Sequence, residues 1–109
     1  MAYAYKVLGQ SAPSATTNTD VYTVGSGKQA IVSTITVANR SASTRTYRIA
    51  VRPAGATLAN QHYIAYDASC PGNDTIALTL GITLNGNDVV SVYSGTTNLT
   101  FNAFGAEIN

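Results

Sequence analysis

Charged side chains are scarce in this sequence: Asp, Glu, Lys and Arg make up 10% of its 109 residues, against about 25% in an average globular protein. Lysine and arginine together number 6 and aspartate and glutamate 5, so the formal net charge is +1 at pH 7. Such a chain lacks the basic surface on which binding to nucleic acids or membrane surfaces depends, and we expect neither partner. The hydrophobic fraction of 45% is ordinary, which excludes a disordered chain of low hydrophobicity and high charge.

Cysteine and tryptophan are scarcer still, with one Cys and no Trp. Cys70 therefore has no partner for an internal disulfide, and we expect it in a turn of residues 69–72. Its charged neighbours, Asp67 and Asp74, cannot activate a thiol as a basic neighbour would, so a structural role is favoured. The paired cysteines and the tryptophan of immunoglobulin domains are missing as well.

Long hydrophobic runs are also absent. No apolar stretch approaches the roughly 20 residues that a membrane-spanning helix needs. The chain opens with the letters MAYAYK, without the basic start and apolar run of a signal peptide. We therefore expect neither a membrane segment nor a secretory leader.

What the chain does contain is β-branched and small polar residues in short runs, separated by turn signals. No window keeps the apolar period of a helix over a helical length. Eight strands are predicted, at residues 3–8, 20–24, 28–38, 45–52, 61–66, 75–84, 89–93 and 99–106. This spacing is typical of an all-β fold, a single antiparallel β-sandwich domain covering residues 1–109. Jelly-roll-like and immunoglobulin-like connectivity both remain open.

Alternation within the runs predicts which side chains face the core. In the fourth run Tyr47, Ile49 and Val51 share one face, and Arg48 and Arg52 lie on the other. In the third run one side is predicted to carry Ile31, Ile35 and Val37, with Val32 opposite. In the sixth run one face is predicted to carry Ile76, Leu78, Leu80, Ile82 and Leu84.

Patterns that would indicate catalysis or cofactor binding fail in detail. Residues 24–29 include Gly-Ser-Gly-Lys, but a phosphate loop needs a different spacing and a following helix, so a hairpin turn is favoured. His62 is the one histidine, and a structural role at a strand start is favoured over catalysis. Zinc sites need several Cys or His ligands. We predict no catalytic residues, no cofactor-binding residues and no metal ligands.

Two features do suggest contacts between subunits. Five of the six basic residues lie in one stretch that contains no acidic residue: Lys28, Arg40, Arg45, Arg48 and Arg52. Arg45, Arg48 and Arg52 are the candidate contacts. Either they form a solvated, charge-guarded face or they meet a neighbouring subunit, where arginine is favoured. The chain also has 7 tyrosines beside 2 phenylalanines. Tyr3 and Tyr5 share one face of the first strand, and tyrosine suits an interface because it joins an apolar ring to a polar tip.

Segments spread over nearly the whole chain resemble small virion structural proteins of tailed bacteriophages. They are residues 4–10, 20–24, 27–30, 48–55, 62–67, 73–75, 81–84, 88–93 and 101–107, reading from AYKVLGQ to FNAFGAE. The resemblance implies a β-sandwich that assembles in multiple copies on a phage head, neck or tail. It implies no active site.

The expected function is therefore that of a capsid decoration (cement) subunit, which stabilises the particle through many intersubunit contacts. A tail, neck or baseplate component is the first alternative, and a carbohydrate-binding host-attachment module is the second. A small hydrolase built on His62 is a third, disfavoured one. The expected partners are further copies of the chain and the major capsid or tail proteins, in a virion assembled in the host cytoplasm.

Overall fold

The computed structural model describes residues 3–109, which form eight β-strands and two 3₁₀ turns. The strands are β1 (Tyr3–Ser11), β2 (Thr19–Thr23), β3 (Gln29–Asn39), β4 (Arg45–Arg52), β5 (Tyr63–Cys70), β6 (Thr75–Leu84), β7 (Val89–Ser94) and β8 (Leu99–Ile108). The turns, Pro53–Gly55 and Asn60–His62, lie between β4 and β5. The predicted all-β sandwich is confirmed, and β4 and β6 have their predicted bounds. Residues 1 and 2 of the predicted domain lie outside the described residues.

The strands form two four-stranded antiparallel sheets. One has the order β1-β8-β3-β6 and the other the order β2-β7-β4-β5. Consecutive strands β4 and β5 are neighbours in one sheet, whereas each of the other connections between described strands crosses to the opposite sheet. This arrangement is the jelly roll, a double sheet of eight strands. The sequence leaves jelly-roll-like and immunoglobulin-like connectivity open, and the fold has the jelly-roll connectivity.

The core lies between the two sheets, where alternate residues of each strand point inward. Tyr47 of β4 meets Phe101 of β8 edge to face, with ring centroids 6.2 Å apart, which is a favoured aromatic geometry. The largest fully buried apolar side chains are Phe101, Ile35, Ile49, Leu99, Val24, Val32, Val37, Val90, Val92 and Cys70. Both sheets contribute to this set, so the core joins them.

A β-bulge in β3 makes one predicted face wrong. Val32 pairs with Gly105 of β8 and Thr34 pairs with the adjacent Phe104, so Ser33 is an extra residue that shifts the inward–outward alternation by one. Val32 is therefore buried on the same side as Ile35 and Val37, and Ile31 points outward with 38% of its surface exposed. Simple alternation predicts Ile31 beside Ile35 and Val37, with Val32 opposite, and is wrong at this bulge.

The same irregularity corrects the prediction for β6. Leu80 and Gly81 stand opposite Ser33, and Gly81 has a φ of +64°, a backbone conformation that favours glycine. Leu80 is 42% exposed instead of joining Leu78 and Ile82 against the core.

Two smaller predictions also need correction. The turn at residues 24–29 connects β2 to β3, which lie in different sheets, so it crosses the sandwich and does not close a hairpin. Cys70 is the last residue of β5 and is not part of a turn, because β5 runs further than predicted and pairs Cys70 with Arg45.

Three side chains connect the two sheets beside β1. Tyr22 of β2 donates a hydrogen bond from its hydroxyl to Oε2 of Glu107 at 2.7 Å, and Lys6 Nζ lies 2.6 Å from Oε1 of the same carboxylate. Lys6 and Tyr22 both lower the pKa of Glu107, Lys6 more strongly. Burial raises the pKa of Tyr22, and the hydrogen bond and charge of Glu107 raise it further.

These shifts predict a loss of stability in alkali. Burial also raises the pKa of Tyr47, so the folded protein keeps two phenol protons that the unfolded chain releases near its ordinary pKa of 10.0. The free energy of unfolding should fall as pH rises above about 10, by up to about 1.4 kcal/mol per pH unit for each tyrosine. Urea unfolding at several alkaline pH values measures this slope. The buried Cys70 thiol, whose pKa is also raised by burial, contributes to the same slope. Tyr22→Phe and Tyr47→Phe should each make the slope shallower, and a slope unchanged in both variants would contradict the prediction.

Candidate interaction face

The outward surface of the β1-β8-β3-β6 sheet carries no charged side chain among the described strand residues. Partners in register on neighbouring strands point to the same side of a sheet, so pairing identifies the outward positions. They are Tyr3, Tyr5, Val7, Gln10, Gln29, Ile31, Thr34, Thr36, Ala38, Thr75, Ala77, Thr79, Thr83, Thr100, Asn102, Phe104, Ala106 and Ile108. We call this surface the neutral face. The charged residues of these strands, Lys6 and Glu107, point the other way and bind each other. One charged side chain from a loop reaches this surface: Arg40, the residue after β3, donates to Thr100 Oγ1 at 3.0 Å, at the end of the face away from Tyr5.

One end of the neutral face is apolar. Tyr5 is 85% exposed, Tyr3 59% and Val7 47%. Across the sheet, Tyr5 is in register with Ala106, and Ala106 with Ile31. Phe104 and Ile108 extend the same patch on β8. Contiguous apolar surface of this kind marks contact sites on soluble proteins.

A shallow hollow lies within this apolar end. Its volume is about 370 Å³, and it is lined by Tyr5, Ile31, Ser33, Gly105 and Ala106. Gly105 has no side chain and Ala106 has only a methyl group, so the floor of the hollow is low, and the larger Tyr5 and Ile31 lie on either side. The bulge at Ser33 is what turns Ile31 outward, so the hollow depends on that irregularity.

The outward surface of the opposite sheet is different, because it carries paired charges. Arg48 of β4 binds Asp67 through two hydrogen bonds, Nε to Oδ1 at 2.7 Å and Nη2 to Oδ2 at 3.3 Å, and this ion pair lowers the pKa of Asp67. The Arg48 guanidinium also lies 4.1 Å from the ring centroid of Tyr66 and 4.7 Å from that of Tyr93, as in cation–π contacts. We call this surface the charged face.

Arg52, four residues after Arg48 on β4, makes contacts within the chain. Its guanidinium donates to Asp20 Oδ1 at 2.8 Å, to Ser91 Oγ at 3.0 Å, and to the carbonyls of Gly55 and Ala56 at 3.1 and 2.9 Å. Arg52 therefore fastens the 3₁₀ turn after β4 to the sheet.

Truncating Arg52 should destabilise the fold measurably. Arg52→Ala removes charge-assisted hydrogen bonds, each typically worth about 1.5–3 kcal/mol, from a side chain only 18% exposed. We expect a loss of about 2 kcal/mol in the free energy of unfolding. The matched control is Arg45→Ala, because Arg45 has one long bond, 3.3 Å to Ser41 Oγ, and should cost less than about 0.5 kcal/mol. Equal losses in the two variants would contradict this role for Arg52.

The structure separates the residues predicted as intersubunit contacts. Tyr3 and Tyr5 lie together on the neutral face, and Arg48 and Arg52 lie together on the charged face. Arg45 begins β4, beside Ser41 and apart from both pairs. Ile31 of the apolar end could not be assigned to the neutral face, since the bulge at Ser33 could not be placed from the sequence. Val7 and Phe104 were not singled out either, although alternation in β1 places Val7 on the side of Tyr3 and Tyr5.

The two residues considered for chemistry have structural contacts. His62 is buried and its Nδ1 accepts the Ala59 backbone N–H at 3.0 Å, which closes the second 3₁₀ turn. Cys70 is fully buried with Sγ 3.6 Å from the Val37 carbonyl oxygen, and burial raises its thiol pKa. Within residues 3–109, no three His, Cys, Asp or Glu side chains are grouped as metal ligands would be.

Comparisons with protein-family models, curated proteins and solved structures find no match to this chain. None of the helical segments within residues 3–109 has the length and apolar character to cross a membrane.

Proposed function

We propose that this chain is a structural protein of a bacteriophage virion, present in many copies and acting as a capsid decoration subunit. The observation that carries the proposal is the neutral face. A sheet face without charges loses little hydration energy when a neighbour covers it, and its apolar end contributes favourable burial.

Two further observations support the proposal. Segments along the chain resemble virion proteins of tailed bacteriophages, and the jelly roll is a fold that viral capsid domains use. A decoration subunit strengthens a particle because many individually weak contacts add when they act together. For that role the chain needs a rigid sandwich and a face that meets neighbours.

Electron microscopy of purified phage particles, labelled with an antibody to this chain, tests the proposal. We expect label over the head, with the chain recovered from particle peptides at many copies. Label confined to the tail, neck or baseplate would support the tail alternative instead. Particles without the chain would contradict a virion role altogether.

A carbohydrate-binding attachment module is the second candidate, favoured by an aromatic cluster on the charged face. Tyr63 and Tyr66 pack edge to face with centroids 4.9 Å apart, and Tyr66 also covers Arg48. Exposed rings beside polar groups can stack on sugars. A glycan array probed with the purified protein tests this: binding that Tyr66→Ala abolishes and Tyr5→Ala preserves would favour the module. The absence of binding to any glycan would exclude it.

A further inference from the structure

We propose that the neutral face binds the neutral face of a second copy of this chain around a two-fold axis, with Tyr5 of each copy entering the hollow of the other. The inference deepens the proposed function, and it rests on that function in treating the neutral face as a protein contact.

The absence of charge favours a copy of the same chain as the occupant. In a two-fold contact the same patch is used on both subunits, and a residue near the axis meets its own counterpart. A charged residue there would meet a like charge. The strands of the neutral face carry none, and Arg40, which follows β3 at the end of the face away from Tyr5, is held by Thr100 Oγ1 and the Thr97 carbonyl. A single cation at one end gives little attraction for a polyanion or an acidic peptide.

The shape of the apolar end is self-complementary. Tyr5 projects into solvent with 85% of its surface exposed, and the hollow of about 370 Å³ lies directly beside it. A projection and a recess on one patch are what a two-fold contact requires, because each ring can fill the opposite recess. The floor of Gly105 and Ala106 leaves room for the incoming ring.

The area of the face is adequate for a dimer. Four strands spaced roughly 4.8 Å apart, each about ten residues long at roughly 3.3 Å per residue, cover on the order of 600 Å² in projection. Side chains make the accessible area larger than the projection. A standard interface removes roughly 800 Å² per partner, and sheets stack face to face at about 10 Å.

Sedimentation velocity of the purified protein from about 1 to 100 µM tests the proposal. We expect a species of twice 11.3 kDa in the wild type. Tyr5→Glu and Ile31→Glu should each raise the dissociation constant at least about 100-fold, since each places like charges at the contact. Tyr66→Glu is the matched control: Tyr66 is a 57% exposed tyrosine on the charged face, and the dimer should survive its substitution.

Several results would overturn the proposal. One is a wild-type protein that stays monomeric over the whole concentration range. Another is a wild-type dimer that the Tyr66→Glu substitution dissociates while the Tyr5→Glu substitution leaves it intact. A dimer that is lost in Tyr5→Glu but kept in Ile31→Glu would also overturn it, because that pattern indicates pairing of β1 edges. Circular dichroism melts confirm that each variant folds. Should Ile31→Glu fail to fold, Thr83→Glu replaces it, since exposed Thr83 is in register with Ile31.

The outcome is separable from that of the virion proposal. A dimer through the neutral face, in a protein absent from particles, would support the contact and contradict the virion role. A strict monomer that is recovered from particles would support the virion role and contradict the contact.

Discussion

Replacing Gly105 with alanine is expected to lower the free energy of unfolding by about 3 kcal/mol, among the largest effects of a single methyl group in this chain. A Cβ at this position would lie 1.9 Å from the carbonyl oxygen of Ile31 and 2.9 Å from its carbonyl carbon. The obstacle is the backbone of a neighbouring central strand, which cannot move aside as a flexible side chain would. Either the β3–β8 pairing opens or the bulge at Ser33 is rebuilt.

Gly95→Ala is the matched control for Gly105→Ala. A Cβ at Gly95 would meet nothing within 4 Å, and we expect a change within about 0.5 kcal/mol. Thermal and urea unfolding of the two variants measure the difference, and for a domain of this size about 3 kcal/mol corresponds to a fall in Tm of more than roughly 12 °C. Similar melting temperatures in the two variants would mean that β8 does not approach β3 as closely as described.

Replacing Asn39 with leucine is expected to cost about as much, about 3 kcal/mol, for a different reason. Asn39 is only 4% exposed. Its Nδ2 donates to the carbonyls of Ser43 at 2.8 Å and Cys70 at 3.0 Å, and its Oδ1 accepts from the backbone N–H and the hydroxyl of Ser41 at 2.9 and 2.8 Å. Leucine has a similar size but makes none of these bonds, of which the one to Cys70 is buried and the others are partly buried. A buried group left unsatisfied typically costs about 1–3 kcal/mol.

Two further variants distinguish the stability that Asn39 contributes through its hydrogen bonds from the stability that its volume contributes by packing. Asn39→Asp keeps the acceptor for Ser41 but places a carboxylate against two carbonyls, so it should be as unstable as Asn39→Leu at neutral pH. Asn102→Asp is the control, because Asn102 accepts one exposed bond from Gln10 and should lose less than about 0.5 kcal/mol. A stable Asn39→Leu variant would show that this corner of the fold does not depend on the amide.

Simple alternation was sufficient to predict strands and faces where the pairing is regular. In β4, Tyr47 and Ile49 alternate with Arg48 without interruption, and both the bounds and the faces are as predicted. The order of the strands in the sheets could not be predicted from the sequence, because it is set by contacts between residues that are distant along the chain. Tyr22 and Glu107, for example, join the two sheets and are 85 positions apart.

The candidate site was predicted in part for the same reason. Tyr3 and Tyr5 lie before any bulge, and their shared face follows from alternation alone. Ile31 could not be assigned to that face, since a bulge is defined by the partner strand and Ser33 carries no local signal of it. Gly105, where two strands approach closely, and Gly81, with its positive φ, accompany the bulges. Other glycines of the chain lie at positions without a bulge, so a glycine in the sequence does not by itself predict one.

The few charged residues of the sequence are distributed unevenly over the two sheets of the fold. The paired ions Arg48–Asp67 and Arg52–Asp20 lie on the outward surface of one sheet, and the strands of the other sheet turn no charged side chain outward. The low overall charge thus reflects a face whose strands lack ions and that has Arg40 at one end. This is the surface that we infer to be covered by a neighbour.

Oxidative footprinting of tyrosines, read by mass spectrometry, tests that inference most directly. The same reaction is run on dilute isolated protein and on the assembled form, whether concentrated protein or purified particles. We predict that Tyr5 loses most of its reactivity on assembly while Tyr66, exposed on the charged face, keeps its own. Protection of Tyr66 with Tyr5 still fully reactive would contradict the assignment of the neutral face as the contact surface.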